Sequence, residues 1–398
     1  MRLIKSFPDS LFIIVLQAMG NVFGIADAQG DKWRRLRKAV NGPFSVPKMK
    51  KYSDCFVKVN KEMVEFVKQE AVKDEKVEAK DFIRKSVINT LSTVGFSVEA
   101  NAFKDTDSEM VKMGNALSEM WRWIVIIMLP SIATIFRVNC YNQKAEKWFT
   151  SLMRRLIGSR KGQETENKDI LSTLMKIHEE DPNELDETAI EKTMLQFIFD
   201  GYNNTSDACT GVLAFIATHP EVLEKLREEI DAVFDAKEDG DMDVTDTDVM
   251  GMNYLDCIIS EQQRLVAVSV TSRRVTKPWT IPGTNLTIPV GVGIYIPIGS
   301  FQKDPEYWEN PLEFNPERFN AENKSKIRTG TYAPFGLGPR KCLGSNYAIL
   351  TIKFILIYLI RFFDIENCEN LPKKFELDPN ALGLPKGGLR VKFHKREF

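Results

Sequence analysis

Residues 181–220, DPNELDETAIEKTMLQFIFDGYNNTSDACTGVLAFIATHP, constrain this chain more than any other stretch. The pattern predicts one long helix that starts after Pro182 and must stop before Pro220, because proline ends a helix that runs into it. Much of the first two-thirds of the chain reads the same way. GDKWRRLRKAVNGPF is cationic on one side and ends at Gly42-Pro43. Residues 48–73 repeat Phe56, Val59, Met63, Phe66 and Val67 at helical spacing. Further helices are predicted over 81–95, after Pro220 with Val222, Leu223, Leu226, Ile230 and Val233 on one face, and from Thr247 to Val266.

The texture then changes. Residues 272–300 mix β-branched residues with Gly and Pro, which predicts short strands and turns. Residues 304–338 form a Pro- and Asn-rich meander. A strongly apolar helix from Ser345 to Phe363 is expected to be buried. LPKGGLRVKF near the end predicts a hairpin, and residues 159–168 a solvated loop. The expected fold class is mainly α with a small β portion, in one unit spanning 1–398.

Apolar residues make up 43% of the chain and charged residues 27%, so it can bury an ordinary core. A net charge of −1 gives no bulk attraction to nucleic acid or acidic lipid. The six cysteines, Cys55, Cys140, Cys209, Cys257, Cys342 and Cys368, form no C-x-x-C pair. That argues against a zinc ribbon or redox dithiol and for reduced thiols. Three histidines without an H-E-x-x-H argue against a histidine metal site. No apolar run approaches the roughly 20 residues of a membrane span, and no signal peptide is evident.

One cysteine stands apart. In YAPFGLGPRKCLGSNYAIL, residues 332–350, Cys342 follows Arg340 and Lys341 and precedes a predicted helix. A helix N-terminus and nearby cations favour a thiolate. Gly336, Gly338 and Gly344 let the backbone approach the sulfur and donate N–H bonds to it, the bonds that tune a metal-bound thiolate. A lone thiolate with an anion-binding arginine suits haem, with iron over sulfur and carboxylates at the rim.

FGLGPRKCLG resembles the haem-binding signature F-x-x-G-x-R-x-C-x-G of the cytochrome P450 family, matched at Phe335, Gly338, Arg340, Cys342 and Gly344. EQQR matches the family's E-x-x-R at Glu261 and Arg264, and NPERF supplies Arg318. The resemblance implies a buried Glu–Arg–Arg cluster beneath the haem. WRRLR matches W-x-x-x-R, which implies Trp33 and Arg37 at a haem propionate. Arg274 falls where many members place another propionate arginine. The likeness runs from about Phe23 onward and is nearest the microsomal clan of vertebrate drug-metabolising and arthropod detoxifying enzymes. Only 32 residues precede Trp33. The chain is therefore expected to lack the family's N-terminal anchor, proline hinge and first helix and strands, which would leave the small β portion short of partners.

The match fails on the long helix. The family carries Ala/Gly-Gly-x-Asp/Glu-Thr-Thr/Ser where this chain has DGYNNTS. Gly201 and Thr205 match. Asp200 replaces the small residue, Asn203 the acid and Asn204 the threonine. In the family that acid and alcohol help deliver protons during oxygen activation. Asn204 can hold a water by hydrogen bonds. Thr205 sits roughly 100° further round the helix and is not expected to substitute. Asp200, four residues before Asn204 on the same face, is expected to serve as the carboxylate near the oxygen site or to pair with a cationic substrate.

The implied activity is a haem-thiolate monooxygenase, with haem b on the Cys342 thiolate inserting one atom of O2 into a lipophilic xenobiotic, steroid or fatty acid-like molecule. Electrons would come from NADPH through NADPH–cytochrome P450 reductase, with cytochrome b5 as a second donor. Arg34, Arg35, Lys38 and Lys341 would form the docking patch. A monomer at the cytosolic face of the endoplasmic reticulum membrane is expected. The pocket would draw on residues before Trp33, on 110–145 and on 265–271, with WRWIVIIMLPSIATIF as a lid or membrane-dipping loop and Ala267 in place of a common wall proline. Two rival readings are a haem-thiolate peroxide isomerase or dehydratase that needs no reductase, which suits Asn203 and Asn204, and an inactive haem-binding pseudoenzyme.

Overall fold

A computed structural model describes residues 24–397 except 26, 27, 29, 74, 75, 106, 118–121, 123, 124, 127, 128, 137, 139, 140, 163–168, 238–242, 267–269, 369, 370 and 379–382. The helices are α1 (Gly30–Asn41), α2 (Val46–Lys50), α3 (Ser53–Val72), α4 (Ala79–Phe96), α5 (Glu109–Leu117), α6 (Pro130–Ile135), α7 (Gln143–Arg160), α8 (Ile170–Glu180), α9 (Glu187–Thr218), α10 (Pro220–Asp235), α11 (Asp246–Gly251), α12 (Asn253–Val266), α13 (Ile298–Phe301), α14 (Ala321–Lys324) and α15 (Ser345–Phe362). The strands are β1 (Val77–Glu78), β2 (Thr271–Arg274), β3 (Trp279–Thr280), β4 (Thr287–Ile288), β5 (Gly293–Ile296), β6 (Phe363–Asn367) and β7 (Arg390–Lys395). The result is the α-rich architecture with a small β portion expected from the sequence.

The long helix forms as its ends dictate. The Asp186 side chain accepts the Ala189 N–H and caps the start of α9. Pro220 fits at the first position of α10, where its missing N–H costs nothing. Two predicted helices are each divided. Residues 48–73 break at Lys51-Tyr52, and 247–266 break at Met252, whose ψ of 84° leaves the helical region. A reciprocal cap between Thr245 and Asp248 starts the short α11.

α9 crosses the molecule against α4, α7 and α15. α15 is long and apolar enough to cross a membrane, yet most of it is buried in the core. Its one mid-helix charge, Lys353, is 3% exposed. The ammonium donates to the Val249 and Met252 carbonyls and pairs with Asp256 at 2.8 Å.

The tail does not form the predicted local hairpin. β7 pairs antiparallel with β1 (Val77 opposite Val391) and with β6 (Phe363 opposite Lys395). Alternation decides this: Val391 and Phe393 must be buried, and Phe393 meets the Phe82 and Phe363 rings at 5.4 and 5.5 Å. The remaining strands make two small ladders, β2–β5 and β3–β4, with Trp279, Val290 and Tyr295 exposed. The described cysteines are free thiols, as predicted; Cys140 and residues 163–168 of the predicted loop lie outside the described residues.

Gly211 shows how closely α9 is approached. A Cβ there would sit 2.6 Å from the Gly383 carbonyl oxygen and 2.8 Å from Gln262 Nε2. Backbone cannot yield as a side-chain tip can. Gly211→Ala is expected to cost about 1–3 kcal/mol through overpacking, seen as a lower denaturant midpoint with an unchanged slope.

Candidate active site

The cysteine loop is shaped by two turns. Gly336 and Gly338 take φ of 73° and 77°, which side-chain-bearing residues rarely adopt. The Cys342 N–H then donates to the Phe335 carbonyl at 2.8 Å, and the Lys341 N–H to Gly338 at 3.1 Å. Gly344 precedes α15, and the N–H groups of Gly344 and Ser345 reach the Cys342 sulfur. Burial nevertheless raises the thiol's pKa, helped by Asp200 across the site; the two N–H groups and Arg37 offset this only in part. The helix-start N–H groups and Arg37 act in the sense that the sequence predicted, against the burial. A bound cationic metal would supply the missing stabilisation.

The loop closes one side of a cavity of about 570 Å³. Phe335, Arg340 and Cys342 line it from the loop, Trp33 and Arg37 from α1, and Asp200, Gly201, Asn204 and Thr205 from α9. Gly338 lies in an adjoining groove shared by Trp33, Arg37 and Cys342. Arg340 stacks on the Trp33 ring at 4.1 Å and donates to the Ala28 carbonyl at 2.8 Å.

Arg273, not the predicted Arg274, lines the cavity. The two neighbours point to opposite faces of β2, so adjacent arginines in the sequence carry no sign of which faces inward. Arg273 and Arg37 both act on Arg340, whose pKa is lowered first by burial and then by these two charges. Among the described residues no carboxylate pairs with any of the three. Three converging, acid-free guanidiniums around a thiol are a donor set that fits haem: carboxylates on the arginines and metal on the sulfur.

The distal wall differs from expectation in two places. Asn203 turns away from the cavity, and its Oδ1 accepts from Arg84 Nη2 at 3.3 Å on α4. It is a helix-packing residue, because its face of α9 meets α4. Thr205 does line the cavity, next to Asn204, since the cavity wraps round the helix. Asp200 lines it as expected. Gln196 Nε2 donates to its Oδ2 at 3.0 Å, and burial pushes the carboxyl up to about 6. Sequence reasoning missed Arg273, Gln196 and Thr193; the last two lie one and two turns before Asp200 on its own helical face.

The predicted cluster is present. Arg264 donates Nε and Nη2 to the two Glu261 oxygens at 2.7 and 2.9 Å, and both side chains have 0% exposure. Arg318 Nε reaches Glu261 at 3.3 Å. Arg264 also donates to the carbonyls of Gln302, Pro311 and Glu313. Of the four predicted docking cations, Arg34 pairs with Asp31 and Lys38 with Glu184, while Arg35 and Lys341 are exposed without an ion pair to a described residue. In the predicted lid, Ile126 and Ala133 are buried, whereas Leu129, Ile132, Ile135 and Phe136 are exposed. Ala267 lies outside the described residues.

The sequence matches the family model described as Cytochrome P450 over residues 5–393, and the chain belongs to that family. It is similar to Cytochrome P450 3A40 of Oryzias latipes, 26% identical over 94% of this chain and 76% of that protein. It is similar to Lithocholate 6-beta-hydroxylase of Mesocricetus auratus, 27% identical with the same two coverages. Probable cytochrome P450 9f2 of Drosophila melanogaster is 26% identical over 95% of this chain and 77% of its own length. The protein is a cytochrome P450-type monooxygenase, an oxidoreductase of the haem-thiolate class.

Two outcomes follow from this geometry. Arg264→Met leaves the buried Glu261 with only Arg318 and the Asn315 N–H and strands three carbonyls, and is expected to cost about 3–5 kcal/mol; Glu261→Gln, which keeps an acceptor, is expected to cost less in the same urea titration. The Asp200 carboxyl has a folded pKa above its unfolded one, so its stabilising contribution is present below the unfolded pKa and is lost as pH rises through about 6. Asp200→Asn is therefore expected to gain stability relative to wild type between about pH 4.5 and pH 7.5, by about 1–2 kcal/mol, read by thermal melts at both ends.

Proposed function

We propose that this chain is a reductase-dependent haem-thiolate monooxygenase that oxidises lipophilic small molecules of xenobiotic or steroid type, with Cys342 as the axial ligand. The observation that carries this is the single cavity wall where the Cys342 sulfur and the acid-free Arg37, Arg273 and Arg340 converge. Trp33, Phe335 and Gly344 complete the proposed haem cradle. A relative's printed name, a lithocholate hydroxylase, supports steroid-like substrates. Electrons are proposed to come from NADPH through a reductase with an acidic face, docking on Arg35 and Lys341, with cytochrome b5 able to use the same patch. The exposed apolar surface of Leu129, Ile132, Ile135 and Phe136 supports a position at the cytosolic face of the endoplasmic reticulum membrane.

Bound there, thiolate-held haem supplies the reductive activation of O2, one atom entering a substrate C–H bond and the other leaving as water. The arginines bind and orient the haem carboxylates, with Arg340 fixed by its stack on Trp33. The Gly344 and Ser345 N–H groups withdraw charge from the sulfur. Phe44, Phe197, Val266 and Val270 exclude water from the cavity. Asp200, with its carboxyl up to about 6, can take and release a proton near neutral pH at the wall where the family has its acid and alcohol. Asn204, one turn further along the same face, offers an amide that can hydrogen-bond a water in the cavity.

The test is to load the purified chain with haem, reduce it, bind CO and record the spectrum. A strongly red-shifted Soret band, abolished by Cys342→Ala, is expected; a band like that of histidine-ligated haem would overturn the assignment. Arg273→Ala is expected to speed haem loss to apomyoglobin about tenfold, against little change for Arg274→Ala, since a charge-assisted bond is worth about 1.5–3 kcal/mol.

A further inference from the structure

The cavity is divided by charge. Its cations are Arg37 from α1, Arg273 from β2, and Arg340 and Lys341 from the cysteine loop, with Arg37 and Arg273 both acting on Arg340. Among the described residues, Asp200 is the only carboxylate that lines it, and it comes from α9. None of the four cations forms an ion pair with it. If the haem carboxylates take the arginines, as proposed above, Asp200 is left as the unmatched charge in an otherwise apolar chamber walled by Phe44, Phe197, Val266, Val270 and Ile298. A half-buried carboxylate without an ion partner in apolar surroundings is costly, and a ligand that pairs with it recovers part of that cost.

The carboxylate is also aimed. Gln196 Nε2 holds Oδ2 at 3.0 Å, while Oδ1 has no hydrogen-bond partner among the described residues. Spacing places Thr193, Gln196, Asp200 and Asn204 along one face of α9, and all four line the cavity. Thr193 Oγ1 and Gln196 Oε1 are buried without a partner among the described residues. The stripe therefore leaves the Asp200 Oδ1 and Gln196 Oε1 acceptors unmet, beside a Thr193 hydroxyl that can donate or accept.

We propose that Asp200 is a specificity residue, held in place by Gln196, that binds the protonated amine of a lipophilic substrate through Oδ1. This deepens the monooxygenase reading and rests on haem occupying the arginine side. A protonated tertiary amine brings one charged N–H to Oδ1 and leaves its apolar body to the aromatic and aliphatic walls. An anionic ligand meets the same carboxylate with repulsion, and a neutral one leaves it unpaired. Gln196 is a positioning residue, because it touches the carboxylate rather than the ligand.

The experiment uses haem-loaded protein whose CO spectrum has first been recorded. Calorimetry at about pH 8, where a tertiary amine is protonated, compares N,N-dimethyl-4-phenylbutylamine with the neutral N,N-dimethyl-4-phenylbutanamide. Wild type is expected to bind the amine about ten- to a hundredfold more tightly than the amide, the range of a charge-assisted hydrogen bond. Asp200→Asn is expected to bring the amine down to the amide's affinity and to leave the amide within about twofold. Gln196→Ala is expected to lose part of the preference. Equal loss of both ligands in Asp200→Asn, or a wild type that binds the amide as well as the amine, overturns the proposal while the thiolate spectrum leaves the monooxygenase reading standing. A red-shifted Soret band on amine binding in both wild type and Asp200→Asn shows ligation by iron and overturns it too. If Asp200→Asn does not take up haem, the wild-type preference and the Gln196→Ala variant decide. Wild type without a thiolate spectrum overturns the proposed function and this inference with it.

Discussion

Everything on the thiolate side hangs on the fully buried Glu261–Arg264 pair. Desolvating two charges is repaid here because no donor or acceptor is left over. Arg264 spends its other N–H groups on three carbonyls of the 302–313 segment, which has little regular structure of its own. Glu261 in turn accepts the Asn315 N–H at 2.9 Å. Gln302 passes the restraint on: its Nε2 donates to the Gln263 and Arg264 carbonyls, and its Oε1 accepts from the Ala333 N–H at 2.8 Å. Ala333 is two residues before Phe335, whose carbonyl receives the Cys342 N–H. A hydrogen-bonded path thus links an ion pair on α12 to the position of the sulfur, and a meander becomes as fixed as a helix.

The residues that were legible in the sequence are those whose role is set by local spacing. Glu261 and Arg264 share a helix face at i,i+3, and Cys342 sits between turn glycines and a helix start, so their placement follows from the chain alone. What escaped depends on orientation across the fold. Adjacent Arg273 and Arg274 look equivalent until β2 is set beside the cavity, and Arg273 then faces the arginine cluster. Asn203 occupies the position of the family's acid in the sequence, and only the placement of α4 shows that its side chain turns to Arg84 instead of the cavity. The strand near residue 391 looked like half of a local hairpin because its true partners lie about 25 and about 310 residues away.

The long helix rearranges its polar groups rather than losing them. The carboxylate stands one turn earlier than in the family pattern, and the position that would carry the acid is an amide tied to Arg84. Gly201 remains between them because a Cβ there would lie 2.8 Å from Leu91 Cδ2, in the packed contact with α4. The close helix–helix approach is thus kept while the chemistry on the cavity face changes, since the two demands fall on different faces of one helix.

Lys353 gives α15 a property that its hydropathy conceals. Most of its neighbours along the helix are apolar, and the helix passes the length and composition test for a membrane span. At the centre of a bilayer, a lysine costs about 3 kcal/mol; in the folded core its ammonium meets two carbonyls and a carboxylate. The lysine thus suits the helix to a protein interior that supplies those partners and not to lipid, which its apolar composition alone does not reveal.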